Sequence, residues 1–183
     1  MDLMKNSEIM ILEILNSSDI SKKINSMSQL IDSNDEKVLN KIISLFDDDD
    51  IQIRGEVFSV LCLNHNDISE ILIDALSSKS KNIKAFCSLV LANRNDENAI
   101  KSIINLTNDS SSIVRSSSIG ALGYLRASNA EKEIRSGIFD SNLEVKKSAA
   151  HALSLINKKL SDKEKNELEK QDDQDFKKIM KKL

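Results

Sequence analysis

One line of sequence is repeated along this chain with a period of about 31 residues. The segments DSSSIVRSSSIGALGYL (109–125) and DSNLEVKKSAAHALSLI (140–156) align through a basic residue, Arg115 in the first and Lys146 in the second. The same step towards the N-terminus reaches three more basic residues: Lys84, Arg54 and Lys23. A period of this length is typical of small units that stack on their neighbours, because one unit cannot bury its apolar face alone.

Three kinds of position recur at fixed distances from these five basic residues, which we call anchors. Seven residues after each anchor stands a leucine: Leu30, Leu61, Leu91, Leu122 and Leu153. Six residues before it stands a polar residue: Ser17, Asp48, Ser78, Asp109 and Asp140. Four residues before it stands another: Asp19, Asp50, Ser80, Ser111 and Asn142. Such side chains accept hydrogen bonds from free backbone N–H groups, so the pattern predicts a tight turn followed by an N-capped helix in every copy.

Upstream of each turn, apolar residues fall at helical spacing, as at Ile42, Leu45 and Phe46, and predict an amphipathic first helix. Capping-box patterns, in which Ser or Asp precedes Glu by three residues, predict further helix starts: Ser33 with Glu36, Asp67 with Glu70, Ser128 with Glu131, and Ser161 with Glu164. Each copy is therefore predicted to be a helix, a tight turn and a second helix. The fold class that follows is all-α.

The stretch from Asp109 through Val114 and Arg115 to Leu122 and Gly123 resembles the second-helix signature of HEAT repeats, and the match recurs in residues 140–153. The resemblance covers about residues 7–156 and implies an α-α superhelix, a HEAT-like α-solenoid. Because the copies are short and contain no proline, they look like the short prokaryotic type grouped with phycobilin-lyase-like repeats. In HEAT families the aspartate and the basic residue bond across repeats as a ladder, which implies a structural role for these charges: Asp48, Arg54, Lys84, Asp109, Arg115, Asp140 and Lys146.

Composition changes after Ile156. Residues 157–183 contain 9 Lys and 7 acidic residues, a net charge of +2, whereas the whole chain has −3. We therefore predict a HEAT-like α-solenoid of five repeats over 1–156 and a charged C-terminal helix over 157–183. Apolar residues of this segment share one helical face: Phe176, Ile179, Met180 and Leu183. That face would either cap the last repeat or dock on a partner or a membrane surface.

Residues with catalytic potential are few and scattered. The two histidines, His65 and His151, have no ligand or base at helical spacing, and the chain lacks HExxH, CxxC, P-loop and GxSxG motifs. Cys62 and Cys87 lie in apolar stretches and are expected to be small buried side chains in a reducing cytoplasm. We expect no enzymatic activity, no cofactor and no metal, and no run of apolar residues is long enough to span a membrane.

The HEAT resemblance implies that the second helices line a concave groove, where side chains that vary from copy to copy would meet a partner. At these positions we predict partner-binding residues: Glu56, Phe86, Leu89, Tyr124 and His151. The alternative for Phe86 and Leu89 is that they belong to the core, because the step from Arg54 to Lys84 is 30 residues and could rotate this copy.

The predicted function is a non-catalytic scaffold or adaptor that binds a peptide segment or protein partner in the groove. One alternative is binding of a nucleic-acid backbone through one Lys or Arg per repeat, although a net charge of −3 disfavours nucleic acid as the partner. A further alternative is a lyase-like or chaperone-like HEAT protein that acts on a small ligand.

The repeat pattern makes a prediction about stability. Replacing Leu122 by alanine is expected to lower the free energy of unfolding by about 2–5 kcal/mol, because the leucine column should lie between stacked helices. Urea denaturation of both proteins measures the difference. Equal unfolding midpoints would show that the repeats are aligned in the wrong register.

Overall fold

The computed structural model describes residues 10–170, and regular secondary structure in this part of the chain is entirely helical. The chain divides into two compact units, Met1–Val90 (the N-unit) and Leu91–Leu183 (the C-unit). The N-unit holds the helix over 10–16 (α1), α2 (Ile20–Ser28), α3 (Glu36–Ser44), α4 (Ile51–Leu63), α5 (Ser69–Ala75) and most of α6 (Lys81–Asn93). The C-unit holds α7 (Ile100–Leu106), α8 (Ser112–Tyr124), α9 (Glu131–Ser136), α10 (Leu143–Leu155) and α11 (Asp162–Glu169).

Within each unit, helices at the same position of successive copies are in contact. In the N-unit the second helices α2 and α4 are in contact, as are the first helices α3 and α5. In the C-unit α8 packs along α10, and each also contacts the first helix of its own copy, α7 and α9 respectively. The predicted helix–turn–helix repeats are therefore confirmed, and within each unit the first helices lie in one layer and the second helices in another.

The turn inside each copy is built in one way throughout the described residues. The polar side chain six residues before the anchor accepts a hydrogen bond of 2.8–3.4 Å from the backbone N–H two residues further on. The residue four before the anchor then precedes or N-caps the second helix, and in four copies its side chain accepts from the first turn: Asp19, Asp50, Ser80 and Asn142. Ser111 occupies the same position without a side-chain hydrogen bond. These contacts confirm the predicted turn.

The leucine column lies in the core. Leu30 is 8% exposed, and the other four leucines of the column are 0% exposed. Fully buried residues of the first helices, such as Ile42 and Ile103, pack from the other layer. The apolar periodicity in the sequence therefore identifies the core correctly.

Two of the predicted capping boxes are wrong. Asp35 rather than Ser33 caps α3, because its carboxylate lies nearer the first turn and accepts from the N–H of Val38 at 2.9 Å. Ala130 precedes α9, and that helix start has no side-chain cap. At α5 the predicted Asp67 does accept from the N–H of Ser69, the first residue of the helix, at 3.1 Å. Before α9 a 3₁₀ turn at Ser128–Ala130 shifts the helix start away from the predicted serine.

The capping box at Ser161 is confirmed. Its hydroxyl accepts from the backbone N–H of Glu164, whose carboxylate accepts from the N–H of Ser161 at 2.7 Å. The division of the chain at Ile156 stays a prediction. The four apolar residues of the predicted C-terminal face lie outside the described residues: Phe176, Ile179, Met180 and Leu183.

The second helices α6, α8 and α10 are each followed by a residue with a left-handed backbone conformation, which the sequence analysis did not anticipate. Asn95, Arg126 and Asn157 have φ values of 54°, 52° and 58°. In each case the following N–H bonds back to the leucine of the column, for example from Ala127 to the carbonyl of Leu122 at 3.0 Å. This Schellman ending satisfies the last carbonyls of the helix and reverses the chain into the next copy.

Two glycines of α8 make a matched pair for testing helix packing. A β-carbon on Gly123 would lie 2.7 Å from both Cα and Cβ of Ala152 in α10, whereas one on Gly120 would meet nothing within 4 Å. We expect Gly123→Ala to destabilise the protein by about 1–3 kcal/mol, since α8 and α10 would have to separate. Gly120→Ala should stabilise it by up to about 1 kcal/mol through helix propensity. Thermal unfolding of both variants tests this; a destabilising Gly120→Ala would contradict the packing described here.

Candidate protein-interaction surface

The anchor of the first copy is bound to the second copy in the N-unit. Lys23 Nζ lies 2.7 Å from Asp48 Oδ2, and both side chains are largely buried. Burial alone would raise the pKa of Asp48, but the hydrogen bonds from Lys23 and from the N–H of Asp50 outweigh it and hold this pKa below its usual value. Arg54 of the same turn donates to the carbonyl oxygens of Asp48 and Asp49 at 2.6 and 3.0 Å. Lys23 therefore joins two copies, and Arg54 braces the turn of its own copy.

The C-unit repeats this arrangement with an arginine. Arg115 donates two parallel hydrogen bonds to Asp140 of the next copy, from Nε to Oδ2 at 2.7 Å and from Nη2 to Oδ1 at 2.9 Å. Its remaining nitrogen, Nη1, donates to the carbonyls of Asp109 and Ser110. The side-chain hydrogen bond from Arg115 is the main cause of a lowered pKa at Asp140. One guanidinium thus joins two successive turns.

Lys146 is 5% exposed and finds its acid on the last described helix. Its Nζ lies 2.5 Å from Glu167 Oε1 of α11, and this hydrogen bond is the leading reason that the pKa of Glu167 falls to about 2. Arg135 of α9 holds the buried Glu164 of α11 at 2.7–2.8 Å. Sequence analysis missed Arg135 and Glu167 because neither occupies a repeated position.

Predicted partner-binding residues of the N-unit are only partly accessible. Phe86 is half-buried, and its ring stacks on that of Phe46, with centroids 4.8 Å apart and planes 9° from parallel. Since Phe46 is 0% exposed, one face of the Phe86 ring lies against the core. Leu89 is also half-buried, and Glu56 accepts a hydrogen bond from Ser28 at 3.1 Å. These contacts favour the core interpretation of Phe86.

The predicted partner-binding residues of the C-unit, Tyr124 and His151, lie together on its surface. Tyr124 is 60% exposed, and its ring meets the exposed ring of His151 edge to face, with centroids 6.0 Å apart. One turn before Tyr124, Gly120 leaves open space on α8. We call the side of α8 and α10 that carries Gly120, Tyr124 and His151 the Tyr124 face.

Other groups with chemical potential do not form a reactive cluster. His65 is exposed and pairs with Asp32 at 2.8 Å, and Cys62 and Cys87 do not form a disulfide bond. Burial raises the pKa of the Cys87 thiol to about 12, which makes it unreactive. Within residues 10–170, no group of three or more His, Cys, Asp or Glu side chains is placed to hold a metal ion. None of the helices described has the length and apolar character needed to cross a membrane.

No protein-family model matches the sequence. No curated protein matches it. Several solved structures are similar to this chain. The Escherichia coli protein YibA has a TM-score of 0.67 and is 17% identical, and the match covers 93% of this chain and 67% of YibA. The complex of CpcE and CpcF of phycocyanin lyase from Nostoc sp. PCC7120 has a TM-score of 0.58 at 16% identity, covering 93% and 73%. Computationally designed armadillo repeat proteins for modular peptide recognition have a TM-score of 0.54 at 14% identity, covering 94% and 96%.

These similar structures belong to the armadillo and HEAT-like class of helical repeat proteins. Sequence identities of 14–17% establish the fold and nothing further. The resemblance found in the sequence is confirmed at that level, and the fold is an all-α, HEAT-like α-α superhelix.

The ion pairs predict a loss of stability in acid. The pKa values of Asp48, Asp140, Glu164 and Glu167 are lowered in the folded protein, so folding favours their charged forms. This contribution to the free energy of unfolding is present above their unfolded-state pKa values of about 4, and it is lost as the pH falls towards 2. Melting temperature should therefore decrease between pH 5 and about 2. Glu167→Gln should make that decrease shallower, whereas Glu169→Gln, an exposed change on the same helix, should not; identical pH profiles would contradict the role of Glu167.

Proposed function

We propose that this chain is a non-catalytic scaffold that binds a peptide segment or protein partner on the Tyr124 face. The observation that carries the proposal is an aromatic side chain left 60% exposed on packed helices. Tyrosine supplies a large contact area and a hydroxyl while losing little side-chain entropy, which is why it is common at the centre of binding surfaces.

The helices beneath the Tyr124 face are closely packed. Gly123 lies directly against Ala152, so α8 and α10 approach closely below the exposed residues. Leu122 and Leu153 are 0% exposed in the core behind them. A surface of this kind pays little reorganisation cost when a ligand binds.

Similar structures offer an analogy for the kind of ligand. Computationally designed armadillo repeat proteins were made for modular peptide recognition, and one designed armadillo protein, with a TM-score of 0.51 and 16% identity to this chain, is a complex with the peptide (KR)4. The repeat fold can thus present helices to an extended peptide. We transfer that general mode of binding to this chain and not the ligand.

The alternative of nucleic-acid binding through the anchors is less well supported. Lys23, Arg115 and Lys146 are each paired with a carboxylate, at 2.7, 2.7 and 2.5 Å. Paired and largely buried cations cannot neutralise phosphates without breaking these contacts. The protein-binding function therefore takes precedence.

A role in small-ligand chemistry is the remaining alternative, motivated by the similarity to the phycocyanin lyase complex. Its best location would be a cavity of about 530 Å³ in the N-unit, lined by Glu36, Asp67, Glu70 and Asp74 together with apolar side chains. No serine, cysteine, lysine or histidine is among the residues that line it. We therefore propose that the chain is not an enzyme. Two cysteines that form no disulfide bond agree with an expected cytoplasmic location.

Binding is tested by capture of ligands from a randomised peptide library and from lysate of the source cell, using the full-length protein. Tyr124→Ala is expected to weaken captured ligands by about 30-fold, the effect of losing one hot-spot residue. The matched control is Phe139→Ala, which removes another exposed aromatic side chain, on a 3₁₀ turn outside the Tyr124 face. Circular dichroism establishes that both variants fold. Equal binding by wild type and Tyr124→Ala would reject this surface.

A further inference from the structure

Charge on the second helices of the C-unit differs in sign from that of the whole chain. The residues of α8, α10 and the turn after α8 include four permanently basic side chains and one acidic one: Arg115, Arg126, Lys146, Lys147 and Glu144. The chain as a whole has a net charge of −3. Any of these cations that is exposed and has no acid beside it would favour a partner of opposite charge.

Three of these four cations are already neutralised. Arg115 pairs with Asp140, Lys146 with Glu167, and Lys147 with Glu144 at 3.1 Å. Arg126 is exposed, and within residues 10–170 its guanidinium has no ion-pair partner. It follows Tyr124 by two residues at the end of α8, so an aromatic side chain and an uncompensated positive charge lie at one end of one helix.

The backbone conformation at Arg126 is unfavourable for arginine. Its φ of 52° lies in the left-handed region, where the equivalent positions of the neighbouring copies hold asparagine, Asn95 and Asn157. Asparagine tolerates this conformation better than a residue with a long side chain. An arginine that folding does not favour, at an exposed position two residues after Tyr124, is consistent with selection for binding.

We propose that the Tyr124 face selects acidic peptide segments. An Asp or Glu side chain of the partner pairs with Arg126, and a neighbouring apolar or aromatic residue packs on Tyr124. The inference rests on the proposed peptide-binding function and specifies its ligand. A peptide fits better than a nucleic acid, because one uncompensated arginine can satisfy one carboxylate but cannot follow a phosphate backbone.

The probe is a randomised peptide library selected on the full-length protein, followed by affinity measurements on the enriched peptides. Enriched sequences should be rich in Asp and Glu, and their affinity should fall as salt concentration rises. Arg126→Asn should weaken them by about twofold to fivefold, the value of one exposed ion pair, without lowering the melting temperature. Arg126→Asp should shift the selection towards basic peptides.

The matched control is Lys132→Gln, which removes one exposed positive charge from α9, a first helix of the same unit. It should leave affinity unchanged. Peptides that depend on Tyr124 but show no acidic preference, or that weaken equally in both variants, would overturn this inference and leave the proposed function standing. Failure to enrich any peptide that depends on Tyr124 would overturn both. Displacement of the peptides by a single-stranded oligonucleotide would overturn the assignment to peptides.

Discussion

At two junctions the packing of successive copies rests on an ion pair between the basic anchor of one copy and the aspartate of the next. Lys23 reaches Asp48 in the N-unit, and Arg115 reaches Asp140 in the C-unit. Asp48 and Asp140 also accept the backbone N–H that closes their own turn. One carboxylate therefore fixes the turn inside a copy and the contact between copies. Because removing either partner would leave the other charge in a largely buried place, the pair specifies register as well as contributing to stability.

The periodicity in the sequence was sufficient to predict the helix pairs, the turn and the core. This follows from the physical nature of those signals: caps act over two or three residues, and apolar spacing reports the buried side of a helix directly. Leu122 and Asp140 could be placed without any structure. The helix start at α9 could not, because a 3₁₀ turn at Ser128–Ala130 and an alanine there take the place of a side-chain cap.

The surface was harder to predict than the core. Phe86 and Tyr124 stand at variable positions of their second helices, yet one ring stacks on Phe46 and the other is exposed. Local rotation of a helix decides between these outcomes, and a spacing of 30 rather than 31 residues before Lys84 only hinted at it. The left-handed ending at Arg126 had no sequence signal, since arginine is not a residue that this conformation prefers. Side-chain contacts were therefore needed to tell an exposed residue such as Tyr124 from a half-buried one such as Phe86.

Glu167 supplies to Lys146 what Asp140 supplies to Arg115, but from a helix of different sequence. The basic anchor thus accepts a carboxylate from either a repeat turn or a capping helix, provided that the acid reaches the same place. The acid is not present in every copy, since Ser78 stands where Asp48 and Asp140 stand in theirs. A copy that carries the aspartate can follow either a lysine or an arginine anchor. The number of such copies can therefore change during evolution, while the contact at their junctions stays the same.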